Sequence, residues 1–518
     1  MKRIKNISLL LSIAFLLPSC NEWLQVDPQN EQLSYKYWSS QEDVEAVVNS
    51  GYYLLREMVT DYLIPFGELR SGQLFSIRSN KLQSFQVKAI DKQFSNWGPF
   101  YEIINIANVV LANAHLAESI DDTYEVEEMN AHHCEAYFLR ALSYFYIVRN
   151  WREAPLITVP FEDDSHSYNV PKASEAELIE QIKTDIKTAL ATGAAKEYYE
   201  TAWETKGRAT KWAFFALMAD VCLWSEDYET ALTYCDYLLK ANSPKAPAFL
   251  SLPTHNSWFS MFNPGNSNEA IFELQWNYEE YQTNNLPVLF DNSATDRLYE
   301  ISFQLLKDFN AEYSHTLENF TEAVRSMYGG YYVADAYAFE IANAGYVWKY
   351  CGSKTLSDKR THSYYDPNFI IYRVAEVILM KAEALALRSE TEQDWSEAID
   401  LINTIRQRSN LGDFEGQLGP REYSEDLTRE TLLEWILYER RMELVGEGKS
   451  WYDVLRFGRR HDNAFKSKFL VESVLTYNNQ AGQSWLSSVL SNDDALFLPI
   501  WEEELKTNTL LVQNPYYY

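Results

Sequence analysis

The chain has 518 residues, more than one ordinary hydrophobic core holds, so several packed units or a repeat array are expected. Its net charge of -29, from 74 acids against 45 lysines and arginines, repels phosphate backbones and anionic headgroups and argues against nucleic-acid binding and peripheral lipid docking. Five cysteines without C-x-x-C spacing and eight scattered histidines encode neither a zinc knuckle nor a dense disulfide framework, so no metal or cofactor is expected.

Lys2, Arg3 and Lys5 precede an apolar run over 7–17 and then Leu17-Pro18-Ser19-Cys20. At about 1.5 Å per residue this run cannot cross a hydrocarbon core of about 30 Å, so 1–19 reads as a removable export signal. Cys20 is the expected lipidation site, because acyl chains on its sulfur and on the freed amine give more than one membrane attachment. An ordinary secretory signal with a chance cysteine is the alternative.

Beyond Cys20, helical periodicity dominates the chain. Ala136, Leu139, Leu142, Ser143 and Tyr146 define a helix over 128–151, and Ser174 with Glu177 forms a capping box for one over 174–191. A helix over 208–224, a turn at Ser225-Glu226-Asp227 and a helix over 228–241 carry Ala213, Ala216, Ala219 and Ala231, small enough for a tetratricopeptide-like hairpin. A similar hairpin is expected at 370–388 and 395–409, with Ala382, Ala384, Ala386 and Ala398. Such hairpins stack side by side, so the distant pairs are expected to join one superhelix. Cys222 and Cys235 fall on consecutive helices, where buried free thiols or one bridge both fit.

Residues 242–368 differ, being rich in Asn, Gly, Pro, Ser, Tyr and Trp, with a strand-like piece at 269–275 and a modest helical stretch at 299–309. Segments 411–424 and 466–494 read as loops. The expected architecture is all-α dominated: a tetratricopeptide-like helical-hairpin superhelix with an irregular, loop-rich insert containing short strands. One domain over 20–518 would comprise an N-terminal helical part (21–241), a ligand-binding insert (242–368) and a C-terminal helical part with a closing segment (369–518).

The residues then spell a family. Asn21-Glu22-Trp23-Leu24, the W-x3-Y-x2-I-x3-N pattern of Trp97, Tyr101, Ile104 and Asn108, and Arg140-Ala141 with Tyr144-Phe145 resemble the SusD/RagB outer-membrane lipoproteins. So do Arg373-Val374-Ala375-Glu376-Val377 with Ala382-Glu383-Ala384, the string Glu439-Arg440-Arg441-Met442-Glu443-Leu444 with Trp451-Tyr452-Asp453, and the ending Gln513-Asn514-Pro515. Departures are the missing acid after Arg70, Trp501 where proline is usual and Tyr516 where glycine is usual. The resemblance implies a SusD-like fold and a non-catalytic role: capture of oligosaccharide or polysaccharide at the cell surface and delivery to a SusC-like TonB-dependent transporter, with lipid anchorage in the outer membrane. Capture of peptides or another nutrient on the same architecture, or a surface glycosidase, are the alternatives.

No G-x-S-x-G, H-E-x-x-H or phosphate-cradling glycine loop occurs, and 74 acids make any carboxylate pair uninformative. With 36 Tyr, 26 Phe and 15 Trp, the chain has rings to spare for stacking on sugar C–H faces. The candidates are Trp97 with Asn96 and Tyr101; Trp276, Tyr278 and Tyr281; and Tyr331, Tyr332 and Trp348, with Arg70 and Arg78 as forked donors to hydroxyls. For Trp97 a core role is equally expected. The 439–456 string reads as structural, an ion-pair network locking the last helices to the scaffold.

Overall fold

The computed structural model describes residues 37–518 apart from 163–165, 253, 292–297, 319–324, 326–346, 354–357, 362–363, 412–418 and 479–481. The export signal, Cys20, Tyr331 and Tyr332 lie outside the described residues.

Helix α1 (Gln41–Glu57) starts at Ser40, whose side chain accepts the Asp43 N–H while Asp43 reaches back to the cap. Val44, Val48, Gly51 and Leu55 form its buried face. At Gly51 a Cβ would sit 2.7 Å from the Leu139 Cδ1 methyl, so a larger residue there would have to push the Leu139 side chain aside. Next come α2 (Gly98–Glu118), α3 (Val126–Trp151) and α4 (Glu175–Ala191), each packed on its predecessor. The expected Ser174–Glu177 capping box is present at the start of α4. The hairpin of α5 (Lys211–Trp224) and α6 (Tyr228–Leu239) comes after it. Helix α5 begins later than its periodicity suggests, because Arg208 and Thr210 are extended, one closing the short helix Ala202–Gly207 and the other capping α5.

After α7 (Phe303–Glu318) the second hairpin is formed by α8 (Val374–Arg388) and α9 (Glu392–Arg408), with α10 (Arg429–Glu443) and α11 (Ser450–Asn463) beyond. The distant hairpins do meet: α6 packs on α8, where Lys381 Nζ reaches Asp236 at 2.9 Å. Cys222 and Cys235 are buried free thiols, and burial pushes the Cys222 thiol up to about 12 and raises Cys235 as well.

Short antiparallel strand pairs punctuate the helices: β1 (Leu74–Ser76), β2 (Ala154–Pro155), β3 (Lys172–Ala173), β4 (Ala270–Leu274), β5 (Tyr299–Ile301) and β6 (Phe369–Arg373). They pair as β1 with β5, β2 with β3 and β4 with β6. The structure corrects three expectations. Residues 299–301, expected to open a helical stretch, are strand β5 paired with β1, and the helix starts only at Phe303. Residues 370–373 are strand, not the first turn of a helix, since the Ile370-Ile371-Tyr372 run is buried on both faces and hydrogen-bonds to β4. Residues 466–494 are mostly helical, not loop: a π-helical segment Lys466–Glu472, then Ser473–Tyr477 and Gln483–Leu490. These pieces are too short to show a period, and buried Phe469, Leu470, Val474, Leu486 and Leu490 fix them to the main core.

The C-terminal half is clamped by buried ions. Arg373 at the end of β6 contacts Glu443 at 2.7 Å, Glu447 at 2.9 Å and Glu269 at 3.2 Å. Arg408 joins Glu269 and Glu443, Arg325 bridges Glu312 and Glu439, and Arg456 binds Glu383 through two hydrogen bonds of 2.8 Å. Burial alone would raise Glu383, but Arg456 and Arg460 hold it down to about 2. The 439–456 string is thus the ion-pair lock its residue types suggest.

Candidate functional site

The residues that leave β4 build a cleft. Gln275 and Trp276 follow the end of the strand, and the Asn277 side chain accepts the Glu279 N–H at 2.9 Å to start the turn Tyr278–Glu280. Tyr281 closes it at φ 58° with a ring 96 % exposed. Asn368, just before β6, holds this exit in place: its Oδ1 accepts the Trp276 N–H at 3.3 Å and its Nδ2 donates to Glu273 at 2.6 Å.

A cavity of about 690 Å³ opens there, lined by Trp203, Trp276, Asn277, Arg360, Tyr364 and Asp366. The Tyr278 ring lies 5.0 Å from that of Tyr364, and the Tyr278 N–H donates to Asp366 at 3.3 Å. Arg360 donates to Asp366 at 2.8 Å and to the Phe262 carbonyl at 3.1 Å. Trp203 is also a wall of an adjoining cavity of about 440 Å³, bounded by Tyr53, Arg56, Arg208 and Gln282. Arg56 bridges the two walls: it donates to the Gln275 carbonyl at 3.3 Å and to Gln282 at 2.9 Å, with its guanidinium 5.1 Å from the Tyr53 ring and 5.8 Å from that of Trp276.

The cleft is therefore open, aromatic and rich in polar groups. Tyr53, Trp203 and Tyr364 show 53 %, 36 % and 57 % of their surface to solvent. At its floor Glu273 is fully enclosed, and burial pushes its carboxyl up to about 7 against the hydrogen bonds from Asn368 and the Asn266 N–H. Its second oxygen has no partner. Burial likewise takes Lys206 down to about 8, its ammonium donating to the Ala270 carbonyl at 2.6 Å.

Of the residues singled out in the sequence, the structure brings Trp276 and Tyr278 to this cleft and sets Tyr281 at the end of the same turn, but Trp276 is 6 % exposed and packs into the main core, so it backs the cleft and the open rings are those of Tyr53, Trp203 and Tyr364. The other singled-out residues among the described ones lie elsewhere. Trp97 is 2 % exposed, its ring packed edgewise on Trp151 and Tyr101. With Tyr101, Tyr168 and Glu504 it borders a separate, narrower cavity of about 210 Å³. Tyr101 donates to the Pro155 carbonyl at 2.6 Å, and Asn96 accepts the Gly98 N–H at 2.8 Å, so both fix local backbone. Arg70 is buried, donating to Asn150 at 2.6 Å and the Leu496 carbonyl at 3.1 Å over the Trp451 ring. Trp348 is a fully buried core side chain, and Arg78 is exposed.

Sequence reasoning missed Tyr53, Arg56, Trp203, Arg360 and Tyr364. Trp203 alone carried a signal: it follows Thr201, which forms a capping box with Glu204, and a tryptophan in the polar first turn of so short a helix has no core to face.

Residues 229–517 match the SusD family, and residues 22–223 match a family described as starch-binding associating with outer membrane. SusD-like protein P38 of Formosa agariphila is 25 % identical across 100 % of both chains. A SusD-like protein of Bacteroides ovatus is 24 % identical over 99 % of this chain and 91 % of its own. Among solved structures, a SusD superfamily protein from Bacteroides vulgatus superposes with TM-score 0.73 at 19 % identity, covering 92 % of this chain and 99 % of that one. A laminarin binding SusD-like protein superposes with TM-score 0.67 at 20 % identity, covering 92 % and 100 %. These structures share the fold, and the chain belongs to the SusD family.

Proposed function

We propose that this chain is a lipoprotein of the outer membrane, tethered through Cys20, that binds oligosaccharide or polysaccharide in the Trp203–Trp276–Tyr364 cleft and delivers it to a SusC-like TonB-dependent transporter. The observation that carries this reading is the cleft itself, where exposed rings alternate with amides and guanidiniums. Pyranose C–H faces stack on indole and phenol rings, and Asn277, Gln282, Arg56 and Arg360 offer hydrogen-bond groups at the level of the hydroxyls. The starch-binding description of the family matched by the N-terminal half and the laminarin binding of a structural neighbour support a glycan rather than a peptide. An open cleft of this kind binds modestly alone, and retention comes from multivalent ligand and from the transporter beneath.

Affinity electrophoresis of the mature protein through gels cast with a panel of neutral polysaccharides tests the reading, with chromatography of the same mixtures for products. Retardation without released oligosaccharide is expected. Released product would make the protein a glycosidase, and peptide binding without any glycan retardation would move it to the peptide alternative. For the anchor, Cys20→Ser should move the protein from the membrane to the soluble fraction.

A further inference from the structure

Among the described arginines from Arg325 onward, all but two have a carboxylate within ion-pair distance. The two exceptions, Arg421 and Arg441, line the same groove, a cavity of about 380 Å³ between α10 and the helical segment 466–477. In a chain where 74 acids face 45 bases, two guanidiniums on one surface with no carboxylate in direct contact stand apart, although Asp308 is near enough to Arg441 for their charges to be felt.

Arg441 belongs to the 439–444 string but not to its lock. Glu439, Arg440 and Glu443 enter the ionic core, whereas Arg441 lies on the opposite side of α10. It donates to two neutral hydroxyls, Tyr477 at 2.8 Å and Ser473 at 3.1 Å, and lies 4.1 Å from the Tyr477 ring centroid. Arg421 lies over the Trp435 ring at 5.1 Å. In both, Nε is shielded from water and has no partner. The acids around the groove are already engaged. Asp308 takes the Tyr477 hydroxyl at 2.6 Å and Glu312 the Tyr438 hydroxyl at 3.2 Å, so both lie behind the phenol wall. At the rim Lys468 pairs with Glu430 and Glu434 at 2.7 Å each, and Glu472 accepts from Ser467 at 3.3 Å.

A half-buried guanidinium on an aromatic plane whose terminal N–H groups meet no carboxylate is the arrangement that takes a planar or tetrahedral oxyanion, and the partly exposed rings of Trp435 and Tyr438 supply a surface for the ring that carries it. We propose that this groove is a second saccharide site, selective for a sugar bearing a carboxylate or sulfate, with the oxyanion held by Arg421 and Arg441 and the pyranose against Trp435. The proposal rests on the glycan-binding reading and extends it from neutral to anionic chains.

Calorimetric titration of the mature protein with a uronate oligosaccharide, a sulfated oligosaccharide, a neutral oligosaccharide of equal length and inorganic sulfate tests it. At least one anionic oligosaccharide should bind about tenfold or more tighter than the neutral one, and the advantage should shrink as salt rises. Arg421→Gln and Arg441→Gln should each remove that advantage while leaving neutral binding intact, and Arg441→Lys, which keeps the charge but not the fork, should restore only part of it. A native melting profile establishes that each variant is folded. Equal affinity for charged and neutral sugars, or an advantage that survives in the folded double variant, overturns the proposal and leaves the neutral cleft standing. Inorganic sulfate binding as tightly as the sulfated sugar reduces the site to a free-anion site and overturns it too. Absence of any saccharide binding overturns the glycan reading itself.

Discussion

Trp203→Ala perturbs the cleft with least damage to the fold. The indole is the wall common to both cavities and stands on the short surface helix Ala202–Gly207. The tie between this helix and β4 runs from Gln275 Nε2 to the Trp203 backbone carbonyl at 2.8 Å, which alanine retains. The 36 % of Trp203 open to solvent, taken on a side chain that can bury up to about 250 Å², leaves about 90 Å² for a sugar to cover. At about 25 cal/mol per Å² that is about 2 kcal/mol, so full coverage predicts a loss of about thirtyfold in affinity and half coverage about fivefold. The assay is titration of wild type and variant with the oligosaccharide that best retards the protein, beside a thermal melt. An affinity within about twofold of wild type in a variant that melts normally would place the sugar elsewhere and refute the argument.

Arg373→Met leaves Glu443, Glu447 and Glu269 with one cation fewer in a site closed to water; a loss of roughly 3–5 kcal/mol is expected by denaturant titration, and an unchanged midpoint would show that Arg408 and Lys349 suffice. Glu273 has a folded pKa of about 7 against an ordinary value of 4.5, so its contribution to stability is fully present below 4.5 and lost as pH rises through 7. Glu273→Gln should therefore match wild type below pH 4.5 and exceed it by the order of 3 kcal/mol above pH 7, and a pH-independent difference would contradict the assignment. The thiols of Cys222 and Cys235 should resist a thiol reagent in the native protein and react on unfolding, and reductant should leave the melting temperature unchanged; a reductant-dependent melt would reveal a bridge.

The helical scaffold was legible because its signals are local. Alanines at hairpin crossings, a Ser174–Glu177 box and an apolar face at three- and four-residue steps need only a few neighbouring residues to be read. What failed depended on distant partners. Ile370-Ile371-Tyr372 suits helix or strand alike until β4 supplies its hydrogen bonds, and the pieces of 466–490 gain their order from a core they join late in the chain. The cleft was half legible for the same reason. Trp276 and Tyr278 stand in an aromatic insert and announce themselves, but Tyr53 comes from α1, Trp203 from a short helix and Tyr364 from the approach to β6, and only the fold brings them together. Trp97 shows the converse: a ring set in a family-like helix pattern is also what a core requires, and Trp151 meets it there.

The ionic lock and the cleft are two ends of one construction. Arg373 ends β6 and pairs opposite Ala270 at the start of β4, where Glu269 takes hydrogen bonds from both Arg373 and Arg408. Lys449 donates to the Ile371 carbonyl and Tyr372 to Asp220, so β6 is tied on one side to α11 and on the other to α5. A two-strand ribbon is marginal on its own, and these ties hold its register. At the opposite end of the ribbon, Asn368 links the two chains and takes the Trp276 N–H. The backbone at Trp276, beside the wall that Arg56 spans to reach Tyr53, is thus carried by a ribbon whose other end is held by buried charges. A strongly acidic net charge favours solubility, while the arginines of the lock are matched by buried carboxylates and hold the end of β6 against the scaffold.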